Sequence, residues 1–548
     1  MKTRRHTLKL ASVLLAAMLA GCAAAPAPQD KPKLVVFLMV DGLPQRQVVD
    51  YRDQLVPDGF ARFLDRGAWF ANAHYKHAFT VTAAGHATVL TGASPHRSGI
   101  IGNEWLDPVT GAPVYNTGDT AATYIGHKTN PLDGTSPRNL KAETVGDVLR
   151  RADPRSKVIA ISGKDRGAIL PAGKTGVAYM YQSSTGQFAS STHYMPQHPA
   201  WVTAFNAAKP ADKYFKTEWR PLLPEAAYAK SVPDSQAWFG PRGGKLPMMM
   251  GVAADDAPGP GFYGALLTSP FADALSLEFA RAAIAGEQLG SDDAPDILAV
   301  SLSGHDYVNH RFSAESRLSH DHLLQLDRLL QAFFADLDRT VGKDNYIAVL
   351  TADHGFMPAP EFSQAKGLDA GRVDSRGALA RINTGLAQKF GEGKWVTGYS
   401  SASLLLDKKL IAQKQVDANA VAEEARRLLL TEKGFDTAYT RAELLSGSRA
   451  GAPFFEASRM AWHPDVSGDV QFTLKANHMF ASSSGSAATH GSPHPYDTQV
   501  PILVYGPRWV KPGRIDDRVA VNDIAPTLSK LLQVAAPSSS EGKALPLR

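Results

Sequence analysis

Cysteine is almost absent from this sequence of 548 residues: Cys22 is the only one. A single thiol excludes disulfides within the chain, and its position near the N-terminus leaves no thiol for catalysis or metal binding elsewhere. An excess of one charge is also missing. Residues 1–21 contain four basic residues and no acid, so the formal net charge of +5 falls to +1 without them. A nearly neutral chain gives no electrostatic reason to expect a nucleic-acid partner.

The sequence also lacks a long hydrophobic run, since the apolar stretch Leu10–Ala20 is too short to span a bilayer comfortably. With its basic start and the following Gly21-Cys22, it resembles a bacterial lipoprotein signal, in which the cysteine is acylated and becomes the new N-terminus. We therefore predict a signal peptide over 1–21, lipidation at Cys22 and an Ala/Pro-rich tether over 22–33. We expect an exported lipoprotein that faces the periplasm or the cell surface, with the outer membrane as its site. Membrane contact is expected only through this anchor.

Length and periodicity predict the fold class. A chain of 548 residues is too long for one ordinary core. Short β-rich apolar runs alternate with amphipathic stretches, which predicts an α/β fold with a mostly parallel central sheet and helices on both faces. We expect one domain over 34–537 and a C-terminal tail over 538–548. Stretches rich in Pro, Gly, Tyr and Trp at about 167–265 and 360–480 are expected to be insertions that form a cap.

Polar residues directly follow several of the apolar runs. The runs and their following residues are Leu34–Val40 before Asp41, Val158–Ser162 before Gly163-Lys164, Ile297–Ser303 before Gly304-His305-Asp306, and Ile347–Thr351 before Ala352-Asp353-His354. In open parallel sheets, sites lie beyond the carboxyl ends of the strands. We therefore expect these side chains to lie near one another.

Several of these residues can bind a metal ion. Asp353 and His354 are adjacent at a strand end, so one loop can direct both at the same ion. Asp306 and His310 lie on one face if their segment is helical, and the late segment "THGSPHPYD" adds two more histidines. Oxygen and imidazole ligands without thiolate are typical of zinc in a catalytic site.

The segment "FTVTAAGHATVLTG" contains a candidate nucleophile. Its polar start, small-residue body and closing glycine predict a short helix with the hydroxyl groups of Thr80 and Thr82 near its N-terminal end. From these residues alone, either threonine can be a structural cap or a nucleophile.

Together these segments resemble the alkaline phosphatase superfamily, most closely its phosphate-irrepressible branch with a threonine nucleophile, which is related to the nucleotide pyrophosphatase/phosphodiesterases. The resemblance covers the chain from about Leu34 to about Pro537. It rests on Asp41, "FTVTAAGHATVLTGASPHRSGIIGNEW", "GKDRG", "SLSGHDYVNHRF", "TADHG" and "THGSPHPYDTQVPILVYGP", which occur in the family's order.

The resemblance implies a nucleophile and two zinc ions. The family's nucleophile lies four residues before a histidine, which selects Thr82 and makes His86 a packing residue. The implied ligands are Asp41, Asp353, His354 and the Thr82 oxygen for one ion, and Asp306, His310 and His490 for the other. His305 is a rival ligand for the second ion, and His494 is a rival to His490, which is preferred because the family ligand is followed directly by glycine.

The resemblance also implies an activity. In this branch Asn103, Lys164 and Arg166 would bind the phosphoryl oxygens, and the lysine–arginine pair accompanies monoesterase activity. We therefore expect zinc-dependent hydrolysis of small-molecule phosphate monoesters through a phospho-threonine intermediate, with release of inorganic phosphate. Two alternatives remain open: a phosphodiesterase or nucleotide pyrophosphatase that uses the same threonine and metals, and a metal- or phosphate-binding lipoprotein without turnover.

Overall fold

The computed structural model describes residues 30–240, 243–481 and 485–548. The predicted signal peptide, the lipidation site Cys22 and the predicted tether up to residue 29 lie outside these ranges. Within them, no helix has both the length and the apolar character that crossing a membrane requires.

The secondary structure alternates between strands and helices along most of the chain. The strands are β1 Leu34–Val40, β2 Ala68–Phe70, β3 Ala73–His74, β4 Glu104–Leu106, β5 Pro113–Tyr115, β6 Val158–Ser162, β7 Val177–Gln182, β8 Gln187–Ala189, β9 Glu218–Trp219, β10 Met248–Met249, β11 Asp296–Leu302, β12 Tyr346–Thr351, β13 Gly371–Val373, β14 Val396–Ser400, β15 Ser403–Leu406, β16 Phe435–Thr440, β17 Val470–Leu474, β18 His478–Phe480, β19 Ile502–Tyr505, β20 Gly513–Ile515 and β21 Val519–Ala520. The α-helices are α1 Gln45–Asp50, α2 Phe60–Arg66, α3 Thr82–Thr91, α4 Pro95–Ser98, α5 Val145–Ala152, α6 Asp165–Ala172, α7 Ala200–Ala207, α8 Pro260–Leu266, α9 Pro270–Glu287, α10 Gly304–Phe312, α11 Arg317–Leu337, α12 Pro360–Ala365, α13 Ser375–Phe390, α14 Lys408–Lys414, α15 Ala418–Leu429, α16 Arg441–Ser446, α17 Phe455–Ala461, α18 Pro495–Thr498 and α19 Ile524–Leu532.

A mostly parallel sheet forms the centre of the protein. Among the described residues its nine strands run in the order β20-β2-β19-β12-β1-β11-β6-β7-β8. The neighbours from β12 to β7 are all parallel, whereas β19 and β8 are antiparallel to the strands beside them. Every residue of β1 is buried, because a central parallel strand is covered on both faces. The predicted fold class is confirmed.

The first expected insertion, 167–265, differs from the structure at its start. It contains most of α6 together with β7 and β8, and both strands belong to the central sheet. Val177–Gln182 is a buried strand with five of its six residues inside, but the surrounding glycines and aromatic residues hide it in the sequence pattern. The later part of the stretch consists mainly of short helices and of the hairpin formed by β9 and β10.

The second expected insertion, 360–480, contains a separate antiparallel sheet in the order β14-β15-β17-β16, which we call the cap sheet. It has an apolar core of its own that includes Trp395, Val396 and Phe472. The turn after β14 contacts the main body, because Ser401 Oγ donates to the backbone carbonyl of Glu104 at 2.9 Å. The cap sheet is thereby joined to β4, the strand that begins directly after residue 103.

The C-terminal residues also pack on the main body. The side chains of Leu545 and Leu547 are buried, and the backbone carbonyl of Leu547 accepts a hydrogen bond from Lys511 N at 2.7 Å. Residues in the predicted tail therefore contribute to the apolar core.

Candidate active site

The side chains that follow the central strands meet at one edge of the sheet. β12, β1, β11 and β6 are neighbours in that order, and the last two residues of β1 pair with the last residues of β12 and β11. The side chains that follow these strands are, in sheet order, Asp353 and His354, Asp41, Asp306, and Lys164. The register therefore brings acids, an imidazole and an ammonium group to one place.

One cluster contains Asp306, His354 and His490, whose ligand atoms all lie within 4.8 Å of one another. His310 adjoins it. The Nε2 atoms of His310 and His490 lie 3.4 Å and 3.6 Å from the same oxygen, Asp306 Oδ1. Asp306 and His310 are one turn apart on α10, the helix that their spacing allowed. A carboxylate oxygen surrounded by imidazole nitrogens is a suitable position for a cation.

A second cluster contains Asp41, Asp353 and His86. His354 lies between the two clusters, because its Nε2 is 3.5 Å from Asp41 Oδ1 and 3.3 Å from Asp353 Oδ2. His86 Nδ1 donates to the backbone carbonyl of Thr82 at 2.8 Å, which commits that nitrogen's proton and leaves it no lone pair for an ion. His86 therefore supports the first turn of α3, and its Nδ1 lies 3.2 Å from Asp353 Oδ2.

The remaining histidines share one orientation. Their Nδ1 atoms donate to backbone carbonyls, with His310 bound to Ala488 at 3.1 Å, His354 to Gly355 at 2.8 Å and His490 to Thr80 at 2.9 Å. A carbonyl can only accept, so each bond fixes the proton on Nδ1 and leaves the Nε2 lone pair facing the carboxylates. Histidines that bind metals usually have their other ring nitrogen bound in this way.

Several buried atoms of the clusters lack partners. Asp41 Oδ1, Asp306 Oδ1 and His354 Nε2 have no hydrogen-bond partner within the part of the chain that the structure describes. A buried polar atom left unsatisfied costs about 1–3 kcal/mol, and more when it is charged. A divalent cation among these atoms would satisfy all three, so the residues fit a metal centre.

Burial and charge set the ionisation of the site. Burial lowers the pKa of His354 and His490 below the ordinary value, which keeps both imidazoles neutral and able to bind a cation. Burial raises the pKa of Asp41 well above its ordinary range. For Asp306 the effect of burial is outweighed by the Lys164 ammonium, which holds the pKa of this carboxyl well below its ordinary range.

Lys164 is placed between the two clusters. Its Nζ lies 2.5 Å from Asp306 Oδ2 and 2.7 Å from Asp41 Oδ2, and all three side chains are buried. Burial alone would lower the pKa of Lys164, but the two carboxylates raise it above the ordinary value. The ammonium group is therefore charged at neutral pH and neutralises part of the negative charge of the site.

Thr82 is the first residue of α3 and is buried beside the second cluster. The helix ends at Gly92, whose φ of 66° suits glycine; the polar start and closing glycine predicted such a helix. Gly85 allows the helix to approach the acids closely, since a Cβ at this residue would lie 2.1 Å from the backbone carbonyl oxygen of Asp353. The Thr82 hydroxyl group thus lies at the positive end of a helix.

Of the other predicted phosphate-binding residues, Asn103 directly precedes β4 and Arg166 is the second residue of α6. Asn103 Oδ1 accepts from the backbone N–H of Ala83 at 2.9 Å, which leaves the amide Nδ2 to donate to a phosphoryl oxygen. Arg166 Nη1 donates to the Tyr115 hydroxyl group at 3.2 Å, and that hydroxyl group donates to Asp165 Oδ1 at 2.6 Å. No sequence motif marks Tyr115 as the residue that orients the arginine.

The rival histidines are bound elsewhere. The ring nitrogens of His305 lie 3.1 Å from His322 Nδ1 and 2.8 Å from Gln47 Oε1. His494 Nε2 donates to the backbone carbonyl of Leu474 at 3.0 Å. Neither histidine belongs to the clusters found among the described residues.

Asp497 is a supporting residue that sequence reasoning missed. Its Oδ2 accepts from Gly491 N at 3.1 Å, and from the N and Oγ atoms of Ser492 at 2.9 Å and 2.6 Å. These bonds hold the turn that follows His490. Thr80 Oγ1 donates to the backbone carbonyl of Ser492 at 3.0 Å, so this threonine supports the same turn. The only sequence signal was the acid that ends "THGSPHPYD".

Comparison with known proteins identifies the class to which this fold and site belong. The chain belongs to the type I phosphodiesterase / nucleotide pyrophosphatase family, whose profile matches residues 35–497. Among its relatives is the alkaline phosphatase PhoV of Synechococcus elongatus, which is 35% identical over 533 residues, 95% of this chain and 93% of that protein. The alkaline phosphatase PafA of Elizabethkingia meningoseptica is 34% identical over 517 residues, 94% of each chain.

Solved structures of alkaline phosphatase PafA have the same fold as this chain. The crystal structure of wild-type alkaline phosphatase PafA superposes with a TM-score of 0.86 at 33% identity, covering 95% of this chain and 99% of that one. A crystallised PafA mutant, in which one threonine, one asparagine, one lysine and one arginine are substituted, gives a TM-score of 0.85 at 32% identity, with the same coverage. The resemblance inferred from the sequence motifs is thereby confirmed.

Proposed function

We propose that this protein hydrolyses small-molecule phosphate monoesters, with two zinc ions as cofactors and Thr82 as the nucleophile. The observation that carries the proposal is the pair of carboxylate and histidine clusters beside the first turn of α3. The names of the relatives, which are alkaline phosphatases at 33–35% identity over nearly the whole chain, support it. A binding protein without turnover would have no use for a buried hydroxyl group beside a metal centre.

The residues of the site would have separate roles in the reaction. Asp41, Asp353 and His354 would hold one zinc ion together with the Thr82 oxygen. Asp306, His310 and His490 would hold the other. When bound, the two ions supply Lewis-acid stabilisation of the attacking and leaving oxygens. The Thr82 hydroxyl group loses its proton to solvent and its oxygen forms a bond to phosphorus, while the bond from phosphorus to the ester oxygen breaks and the leaving alcohol takes up a proton. Water then cleaves the phospho-threonine, which restores the Thr82 hydroxyl group and releases inorganic phosphate.

Asn103, Lys164 and Arg166 would bind the phosphoryl oxygens. The amide of Asn103 is oriented by its bond to the N–H that follows Thr82, and Arg166 is held by the Tyr115 hydroxyl group. Arginine offers a fork of donors and lysine a point charge. The four residue types changed together in the PafA mutant, one threonine, one asparagine, one lysine and one arginine, match this set.

Phosphodiester hydrolysis is the second candidate, because the matching family is described by that activity. A monoester dianion carries one more anionic oxygen than a diester, and two nearby cations at Lys164 and Arg166 favour the dianion. The test compares the rates at which the zinc-loaded protein hydrolyses an aryl phosphate monoester and the corresponding methyl diester, with and without a chelator. We expect faster monoester hydrolysis that the chelator abolishes. Faster hydrolysis of the diester would favour the second candidate instead. Activity that persists with the chelator would contradict a metal-dependent mechanism.

We also propose that the enzyme is an exported lipoprotein anchored through Cys22. The support is the sequence of the N-terminal region, in which a basic start and a short apolar run precede Gly21-Cys22. An anchored enzyme of this kind would act on small esters outside the cytoplasm, at the outer membrane or cell surface.

A further inference from the structure

A cavity of about 420 Å³ adjoins the candidate site. His310 and His490 line the part of it that it shares with the cluster around Asp306, and Phe79 lines it three residues before Thr82. Residues of the cap sheet and of β18 also line the cavity. A group attached to a phosphate at the clusters can therefore extend into this cavity.

Several residues of the lining are aromatic. Tyr399, Phe472 and Phe480 line the cavity, and their rings are neighbours: the centroids of Tyr399 and Phe480 are 5.3 Å apart, and those of Tyr399 and Phe472 are 5.7 Å apart. Phe79, Tyr399 and Phe480 are each only partly buried. Partly exposed aromatic rings around a concave space are typical of sites for small apolar or aromatic groups.

The composition of the cavity lining disfavours leaving groups that carry further negative charge. No lysine or arginine is found among the described residues that line it. A leaving group with further negative charges, such as pyrophosphate or a sugar phosphate, would find no cation in this cavity. A neutral aromatic ring could instead pack against the aromatic side chains that line the cavity.

The cavity wall is held in position by hydrogen bonds. The Tyr399 hydroxyl group donates to the backbone carbonyl of Ser375 at 3.1 Å, and Ser401 in the following turn donates to Glu104. On the opposite side, Gly491 leaves room for Phe79, because a Cβ at this residue would lie 3.2 Å from the ring. A wall fixed before binding loses little entropy when a ligand is bound.

We propose that this cavity binds the leaving group of the substrate and selects esters in which that group is neutral and aromatic. The proposal rests on the proposed function, since it concerns the substrate of the same site. A volume of about 420 Å³ suits one or two fused rings, because a cavity of about 150 Å³ is enough for benzene.

The test compares kcat/KM for 2-naphthyl phosphate with kcat/KM for ethyl phosphate in wild type and two variants. Phe480→Ala removes a ring from the cavity. Phe390→Ala is the matched control, because Phe390 packs against Trp395 in the core of the cap sheet and does not line the cavity. The ratio of the two kcat/KM values is expected to fall about tenfold in Phe480→Ala, the effect of about 1.4 kcal/mol of lost contact, and to keep its wild-type value in Phe390→Ala.

An unchanged ratio in Phe480→Ala, or an equal fall in both variants, would overturn the proposal. A second measurement tests the cavity proposal independently of the proposed function. The binding of 2-naphthol to the zinc-loaded protein is measured through the fluorescence of the naphthol. If no ester is hydrolysed, the proposed function fails, while naphthol binding that weakens in Phe480→Ala alone still supports the cavity. Naphthol binding that is absent, or is equal in all three proteins, overturns the cavity proposal.

Discussion

The buried ammonium group of Lys164 leads to a prediction in two parts, tested by the substitution Lys164→Ala. In the structure, Lys164 Nζ lies 2.5 Å from one oxygen of Asp306 and 2.7 Å from one oxygen of Asp41. Removing it leaves two buried carboxylates without their cation. Breaking a buried ion pair by removing one partner costs about 3–5 kcal/mol. We therefore expect the free energy of unfolding of the metal-free protein to fall by about this amount.

The second part concerns turnover. A charged donor that contacts developing charge in the transition state contributes about 2.7–4 kcal/mol, or about 10²–10³ in rate. Lys164→Ala is expected to lower kcat/KM for an aryl phosphate monoester by this factor, and to lower it less for the methyl diester, which has one anionic oxygen fewer.

Urea unfolding in the presence of a chelator measures the first part, and initial rates with zinc measure the second. Lys141→Ala is the control, since it removes an ammonium group that pairs with Asp465 at the surface. The control should change stability by less than about 1 kcal/mol. Equal losses on the two esters, or a metal-free stability equal to that of wild type, would show that Lys164 does not have the role its contacts indicate.

Three other predictions follow from the structure. Thr82→Ala should keep its bound zinc, measured by elemental analysis, but lose nearly all hydrolysis of p-nitrophenyl phosphate; unchanged turnover would refute the role of this hydroxyl group. Cys22→Ser should move the protein from the membrane fraction to the soluble fraction of cells and abolish labelling by a radioactive fatty acid, and an unchanged distribution would argue against a lipid anchor. Burial raises the pKa of Asp327 to about 6, above its value of about 3.9 in an unfolded chain, so the folded state binds this proton more tightly. The resulting stability is present below pH 4 and is lost as the pH rises through 6, and urea unfolding across this range should show the loss in wild type and not in Asp327→Asn.

Much of the fold could be predicted from the sequence, because apolar runs and polar strand ends are local signals. Leu34–Val40 and Val158–Ser162 have the predicted bounds, and the residues that follow them lie at one sheet edge because parallel strands align their carboxyl ends. Val177–Gln182 was assigned to an insertion, since one short strand in a loop-rich stretch carries no period that marks it as part of the central sheet.

The site was less accessible to local reasoning. Asp306 and His310 share one helix and can be paired from their spacing, but His490 was found only through a motif, because its contact with Asp306 joins distant parts of the chain. Tyr115 and Asp497 carry no motif of their own. Their roles depend on which loop packs beside them, and a sequence without its sheet order does not contain that information.

Residue 85 is a glycine, and its lack of a side chain determines how closely the helix that starts with Thr82 can approach the acids. A single methyl group there would lie 2.1 Å from the carbonyl oxygen of Asp353, whereas ordinary contacts begin at 3.4 Å, so the two segments would have to move apart by about 1.3 Å. The position of the Thr82 hydroxyl group therefore depends on a residue one helical turn away, and even alanine at residue 85 would displace this hydroxyl group without contacting it.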